Sequence, residues 1–206
     1  MVSKVKILFW LLFLPAFAFV PGDKASVPLL AKWVITKGCT LHVVGSTNIN
    51  TFSCSIEEYC HPDTIIVYKN GDKAQNLPVA GSLSLNIAAF DCHNTYMTKD
   101  LRKTLKAEDF PVMHIRFLTL NKLPDFRIAQ DAVTGLVAIE LAGVTKQFDM
   151  NYRFYMDSQK IIHLEGSRTI TFTDFNLVPP SKLGGMIKAK DKLDVGFLLN
   201  MKVLDL

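Results

Sequence analysis

Apolar and polar residues alternate along most of the chain beyond residue 32, and a period of two is typical of β-strands with one buried face. The last segment shows this pattern most clearly. Its apolar row consists of Leu193, Val195, Phe197, Leu199, Met201 and Val203. The same rhythm recurs over residues 33–44, 49–56, 79–90, 113–117, 133–141, 148–154 and 162–172.

Turn-forming residues separate these apolar segments. Gly45 and Ser46, Gly143, and the pair Asp157 and Ser158 each stand between two alternating runs. Such spacing indicates about eight to ten strands with mostly short connections, which is typical of an all-β sandwich or barrel. A closed barrel has the advantage that it removes the exposed strand edges that promote aggregation. The interior of a barrel of about eight strands is filled by side chains or holds one small ligand.

One segment, residues 98–106, breaks the period of two and predicts a short helix near residues 97–106. Thr98 is a candidate N-cap, and Asp100 would lie in the first turn, where a helix dipole favours an acidic residue. The apolar positions recur every four residues and form a single stripe, which consists of Met97, Leu101 and Leu105. We expect this stripe to cover the open end of a barrel or to pack on its side.

The first 18 residues have the three parts of a secretory signal peptide. Lys4 and Lys6 precede an apolar run over residues 7–17, and a small-x-small cleavage signal ends at Ala18. The apolar run is shorter than the roughly 20 residues that span a bilayer, although an uncleaved anchor stays an alternative. We expect residues 19–206 to form a single barrel domain that is periplasmic or secreted, with no stable membrane span.

Composition and charge narrow the class of protein further. Hydrophobic residues make up 49% of the chain, which is enough to form a core and excludes disorder. The formal net charge of +4 falls to about +2 without Lys4 and Lys6, because 21 of the 23 Lys and Arg residues then remain against 19 Asp and Glu residues. A weak and dispersed positive charge does not predict nucleic-acid binding.

Four cysteines lie in the first half of the predicted mature chain: Cys39, Cys54, Cys60 and Cys92. No C-x-x-C pair or ordered His spacing indicates zinc. In an oxidising compartment disulfides are the better interpretation, and four cysteines allow three pairings. The sequence of the cysteines alone leaves all three open.

No catalytic arrangement can be assembled from the sequence. The five histidines are scattered, and no Gly-x-Ser-x-Gly nucleophile elbow is present. Cys92 and His93 are neighbours, and neighbours on an extended chain point to opposite faces. We therefore expect neither an enzyme nor a cofactor.

Four segments in the right order resemble the YceI-like family. Residues 97–117 look like its mid-chain helix that ends near an aromatic-Pro pair and leads into an alternating strand. Residues 135–146 look like its Gly-x-Leu-x-Ile-x-Gly-Val-Thr-Lys hairpin, and residues 172–180 like its late Asp-Phe-Asn segment. Residues 45–54 are similar to a variant of the family with a Thr-Asn-x-Asn-x-Phe-x-Cys strand.

The resemblance implies an extended antiparallel lipocalin-like β-barrel in the periplasm that binds a polyisoprenoid, such as an isoprenoid quinone or polyprenyl lipid. It implies no reaction. In the variant a second cysteine matches Cys92, so the resemblance favours a Cys54–Cys92 disulfide and leaves Cys39 and Cys60 paired with each other or both free. The expected partner is an apolar small molecule, and the sequence leaves a homodimer open.

The apolar rows supply the expected ligand-binding residues. They are Met97, Leu101, Leu105, Met113, Ile115, Phe117, Val137, Ile139, Leu141, Phe148, Met150, Tyr152, Phe154, Ile170, Phe172, Phe197, Leu199 and Met201. The alternative is that these side chains fill the barrel, which would then act as a structural or protein-interaction module without enzymatic activity.

Overall fold

The structure, a computed structural model, describes residues 29–59, 61–69 and 76–204. The predicted signal peptide over residues 1–18 lies outside the described residues, and so does Cys60, which leaves the pairing of Cys39 with Cys60 untested. The described chain forms twelve strands: β1 (Leu29–Ile35), β2 (Cys39–Thr47), β3 (Thr51–Tyr59), β4 (Thr64–Tyr68), β5 (Leu77–Ala80), β6 (Ser82–Asn86), β7 (Val112–Leu120), β8 (Asp131–Leu141), β9 (Val144–Met156), β10 (Ile162–Thr171), β11 (Ser181–Lys182) and β12 (Ile187–Val203).

Eight of these strands close into an antiparallel barrel. The hydrogen-bonded order runs β1, β4, β5, β7, β8, β9, β10 and β12, and β12 pairs with β1 to close the ring. β2 and β3 extend the sheet from β12, β6 pairs with β7, and β11 pairs with the start of β12. The all-β barrel of about eight strands that the sequence predicts is therefore confirmed.

The long strand β12 pairs with β1, β2 and β10 in addition to β11. Its final residues pair with β1, for example Met201 with Ile35. Its middle pairs on one side with β10, where Leu199 lies opposite Leu164, and on the other side with β2. The predicted apolar row from Leu193 to Met201 faces the interior of this barrel, because alternate residues of a strand point to one face.

The ladder between β9 and β10 stops before either strand ends. Pairing runs from Met156 opposite Ile162 to Asn151 opposite Ser167. The described part of β9 before Asn151 pairs with β8 alone, and the part of β10 after Ser167 pairs with β12 alone. The barrel wall therefore has a seam between residues 144–150 of β9 and residues 168–171 of β10.

The helix α1 spans Thr95–Thr104 and begins earlier than predicted. Asn94, not Thr98, is its N-cap: the Asn94 side chain accepts a hydrogen bond from the backbone N–H of Met97 at 3.1 Å. Thr98 is buried within the helix, where its hydroxyl accepts a hydrogen bond from the backbone N–H of Cys92 at 3.0 Å. The first turn contains no acidic residue, so the predicted position of Asp100 is also wrong.

The predicted strand over residues 79–90 is divided. β5 ends at Ala80, β6 begins at Ser82, and a 3-10 turn over Ile87–Ala89 follows. The division at Gly81 lets β5 and β6 pair with different halves of β7. An alternating pattern continues across such a break because both halves bury the same face.

A disulfide between Cys54 and Cys92 joins β3 to the segment that leads into α1. Next to it, Ser55 and Asp91 exchange two backbone hydrogen bonds of 2.8 and 2.9 Å. The pairing favoured by the family resemblance is thus present. It fixes the segment before α1 against β3.

We expect removal of this disulfide to destabilise the protein. The bond closes a loop with a sequence separation of 38 residues. The double variant Cys54→Ala/Cys92→Ala should lose about 2–4 kcal/mol of unfolding free energy, because the cross-link restricts the unfolded chain. Urea denaturation of the oxidised protein and the variant measures the difference. An unchanged midpoint would show that the bond does not constrain the fold.

Candidate functional site

An apolar cavity of about 80 Å³ lies inside the barrel beneath α1. Its wall combines the inward rows of the strands with Leu101 and Leu105 of the helical segment and with Phe90, which directly follows the 3-10 turn. The lining residues are Leu41, Val43, Phe90, Leu101, Leu105, Met113, Ile115, Val137, Ile139, Leu141, Met150, Arg168, Ile170, Leu193, Val195 and Phe197. Arg168 is the single charged member of this set.

Several inward-facing side chains around this cavity are only partly buried. Ile115 and Ile139 lie opposite each other on β7 and β8, and both keep some accessible surface, as do Val195 and Phe197 on β12. In a close-packed barrel such positions would be fully buried, because the sheet separates them from outside solvent. Their accessible surface therefore faces a space within the barrel.

Phe197 separates this cavity from a second void of about 20 Å³. Its side chain lines both spaces, together with Leu41 and Ile115. The ring lies over Gly166 on β10, where an added Cβ would be 2.4 Å from the Phe197 Cζ atom. Gly166 thus provides the room in which the Phe197 ring rests, and the ring divides the interior in two.

The half of the barrel beyond Phe197 is filled by aromatic side chains. Trp33 packs on Phe154 with 5.8 Å between ring centroids, and Tyr152 contacts both Phe154 and Phe197 at 6.2 Å. Trp33, Tyr152 and Phe154 are almost completely buried. This half is a packed core, whereas the half beneath α1 contains the cavity.

The Tyr152 hydroxyl is a buried polar group in this apolar interior. Among the described residues it has no hydrogen-bond partner. Burial raises the pKa of the Tyr152 hydroxyl well above its usual value, because the phenolate would be poorly solvated there. The hydroxyl is therefore neutral at ordinary pH and retains an unused donor.

A second, more open groove of about 470 Å³ lies on the outer side of α1. Leu101 lines both this groove and the interior cavity, so α1 forms the wall between them. At one end of the groove, Lys182 of β11 forms an ion pair with Asp100 of α1, with 2.7 Å between Nζ and Oδ1. In this groove, exposed apolar side chains are supplied by Ile49, Tyr96 and Leu183.

The structure places the expected ligand-binding residues in four locations. Ten line the cavity beneath α1: Leu101, Leu105, Met113, Ile115, Val137, Ile139, Leu141, Met150, Ile170 and Phe197. Phe117 and Leu199 line the smaller void. Met97 and Phe172 line the outer groove. Phe148 packs on Phe175, and Tyr152, Phe154 and Met201 belong to the packed core.

Six cavity residues are absent from the expected set: Leu41, Val43, Phe90, Arg168, Leu193 and Val195. Leu193 and Val195 belong to the apolar row of the last strand, and Leu41 and Val43 to an early alternating run, so the signal was in the sequence. Arg168 could not be selected by an apolar pattern, although its even-numbered position matches the inward row of β10.

Two solved structures share this fold over most of the chain. BcnA of Burkholderia cenocepacia superposes with a TM-score of 0.58 at 11% identity, covering 79% of this chain and 95% of that one. A polyisoprenoid binding domain from Saccharophagus degradans, implicated in plant cell wall breakdown, gives 0.54 at 12% identity over 85% of this chain and 99% of that one. A Campylobacter jejuni YceI protein gives 0.47 at 14% identity over 68% and 74%.

The first two of these structures define the class of fold. The chain forms an antiparallel barrel of the type found in BcnA and the polyisoprenoid binding domain, which confirms the extended lipocalin-like barrel that the family resemblance implies. No family model and no curated protein sequence matches the chain.

The described site provides apolar contact surface and little else. In the described part of the chain, no three His, Cys, Asp or Glu side chains gather as a metal ion would require. Nor does any helical segment there combine the length and hydropathy that a membrane span takes. The wall of the cavity is apolar except for Arg168, and such a wall favours the burial of apolar surface.

A comparison of two isoleucines tests whether the cavity is a space and not a packed core. Ile162 is fully buried in the filled half, whereas Ile139 borders the cavity. Ile162→Ala should cost about 3–5 kcal/mol of unfolding free energy, and Ile139→Ala about 2 kcal/mol or less, because fewer atoms pack on Ile139. Urea denaturation measures both losses. Equal losses would contradict a cavity at Ile139.

The unpartnered hydroxyl of Tyr152 gives a second prediction. Tyr152→Phe should raise the unfolding free energy by about 1 kcal/mol, since it removes a buried polar group whose hydrogen bond to water is lost on folding. Thermal or urea unfolding of the ligand-free protein checks this. A loss of stability larger than about 1 kcal/mol would mean that the hydroxyl has a partner in solution.

Proposed function

We propose that this protein is an exported, non-enzymatic binding protein that holds a long apolar ligand inside its barrel, namely a polyisoprenoid chain such as an isoprenoid quinone or polyprenyl lipid. The observation that carries the proposal is the cavity beneath α1, whose wall is apolar except for Arg168. The polyisoprenoid class is supported by the polyisoprenoid binding domain of S. degradans, which has the same fold.

The cavity must enlarge to accept such a ligand. Its volume of about 80 Å³ is smaller than the roughly 150 Å³ cavity that admits benzene. Rotation of the Phe197 ring would join it to the second void, and an outward shift of α1 would join it to the outer groove through Leu101. Both elements border the spaces that would merge.

Burial of the ligand supplies the driving force. About 0.8 kcal/mol accompanies each buried CH₂ group, so a five-carbon isoprene unit contributes on the order of 4 kcal/mol. This gain must offset the cost of displacing Phe197 and α1. Because the wall offers few hydrogen-bonding groups, affinity should grow with chain length.

The exported location has its own support. The Cys54–Cys92 disulfide is typical of proteins in oxidising compartments. The leader-like residues 1–18 point to the same compartment. A periplasmic or secreted carrier for an apolar molecule needs an interior shielded from water, which the barrel provides.

A second candidate function is favoured by one observation. Trp33, Tyr152 and Phe154 fill half of the barrel, as in a structural or protein-interaction module without a ligand. In that case the cavity would be a packing defect. The ligand test below separates the two functions.

The proposal predicts that filling the cavity abolishes lipid binding. Ile139→Trp places a large ring in the cavity, whereas Val44→Trp adds the same ring on the outer face of β2, where Val44 is 44% exposed. The wild-type protein and Val44→Trp, purified without detergent from exporting cells, should carry a polyprenyl lipid in native mass spectrometry. Ile139→Trp should carry at least about tenfold less.

Circular dichroism must show that Ile139→Trp is folded, since overpacking costs about 1–3 kcal/mol. If the wild-type protein carries no lipid and binds no added polyprenol, the binding function is wrong. If all three proteins bind equally, the lipid lies elsewhere than in the cavity.

A further inference from the structure

Arg168 occupies an unusual position in the barrel. On β10 the inward row runs Ile162, Leu164, Gly166, Arg168 and Ile170, and its members other than Arg168 are buried. Arg168 lies opposite Val195 of β12 and lines the cavity, yet its side chain is exposed. An arginine on an inward row that still reaches solvent must stand at an opening of the wall.

The opening is the seam between β9 and β10. The ladder ends with Asn151 opposite Ser167, one residue before Arg168. Arg168 reaches across the seam, and its Nη1 donates a hydrogen bond of 3.0 Å to the backbone carbonyl oxygen of Asp149. Arg168 thus borders the apolar cavity and is also exposed to solvent beside this seam.

Most of the hydrogen-bonding capacity of this guanidinium is unused. It has five N–H donors, and the bond to Asp149 takes one. Among the described residues, no carboxylate lies within 4.0 Å of it in an ion pair. The side chain is therefore a fixed positive charge with free donors beside an apolar space.

The β9 side of the seam also carries a positively charged side chain. Lys146 lies on the row of β9 that contains Phe148 and Met150, opposite Ile139 of β8, and is exposed. Inward rows on both sides of the seam thus carry a cation where the apolar lining ends. Such a pattern suits a molecule with an apolar chain and an anionic end.

We infer that the seam at Arg168 is a headgroup site, which selects apolar chains that end in a phosphate or carboxylate. The inference rests on the proposed function. The chain lies beneath α1 among the apolar residues, and the anionic head remains at the seam, where Arg168 binds it with two N–H groups. A planar guanidinium matches the paired oxygens of either anion, and binding at the solvent boundary avoids burying the charge.

Selection is measured by comparing each anion with the alcohol of the same chain. Isothermal titration calorimetry with the full barrel should show farnesyl phosphate binding at least about tenfold more tightly than farnesol. A second comparison, of palmitate with hexadecanol, tests a carboxylate in place of a phosphate. Tighter binding of the anion in either comparison supports the site and shows which anionic headgroup it binds.

Substitution of Arg168 tests whether this residue causes the preference for the anion over the alcohol. In Arg168→Gln the affinity for farnesol should stay within about twofold while the preference for the anion disappears, and Arg168→Lys should keep part of it. Arg153→Gln is the matched control, because Arg153 lies on the outer face of β9, where it pairs with Glu165 at 2.9 Å. This control should retain the full preference.

Two results overturn the inference while leaving the proposed function intact. Equal binding of anion and alcohol by the wild-type protein is one, and an anion preference that survives in Arg168→Gln is the other. If neither the anions nor the alcohols bind, the proposed function itself fails, and the headgroup site fails with it.

Discussion

The pairing of β1 with β12 is the interaction on which the rest of the structure depends. Trp33 to Ile35 meet Met201 to Val203 across more than 160 residues of sequence, and this contact turns an open sheet into a closed ring. Once the ring is closed, each strand has an inner and an outer face, and the alternating apolar rows all point to one enclosed volume. Without closure, the same rows would form an exposed apolar surface.

Large side chains fill only part of the enclosed volume. Trp33, Tyr152 and Phe154 pack the half near the β1–β12 closure, and the half beneath α1 is left with a cavity. The Cys54–Cys92 disulfide holds the segment before α1 at this less packed end. The result is a rigid half that maintains the barrel and a half closed by a single helix and one aromatic ring. Under the proposed function, the less packed half is the one that would open to admit the ligand.

Local patterns predicted the strands well because burial of one face repeats every two residues. The row from Leu193 to Met201 is one example, and the inward positions of β7 and β8 are others. The predicted start of the helix was wrong because Thr98 and Asn94 are both acceptable N-cap residues. In the structure Asn94 caps the helix, and the Thr98 hydroxyl instead accepts a hydrogen bond from the backbone N–H of Cys92. The position of Phe197 over Gly166 depends on the pairing of β12 with β10, and the seam at Arg168 depends on where the ladder between β9 and β10 stops. Neither feature leaves a local pattern in the sequence.

The central claim is that the inward rows surround a space that a lipid chain can occupy. A crystal structure of the protein, purified without detergent from exporting cells and soaked with a polyprenol, tests this most directly. The account predicts continuous ligand density beneath α1 that extends past a rotated Phe197 ring. Density confined to the outer surface, with Phe197 still on Gly166 and the cavity empty, would contradict it.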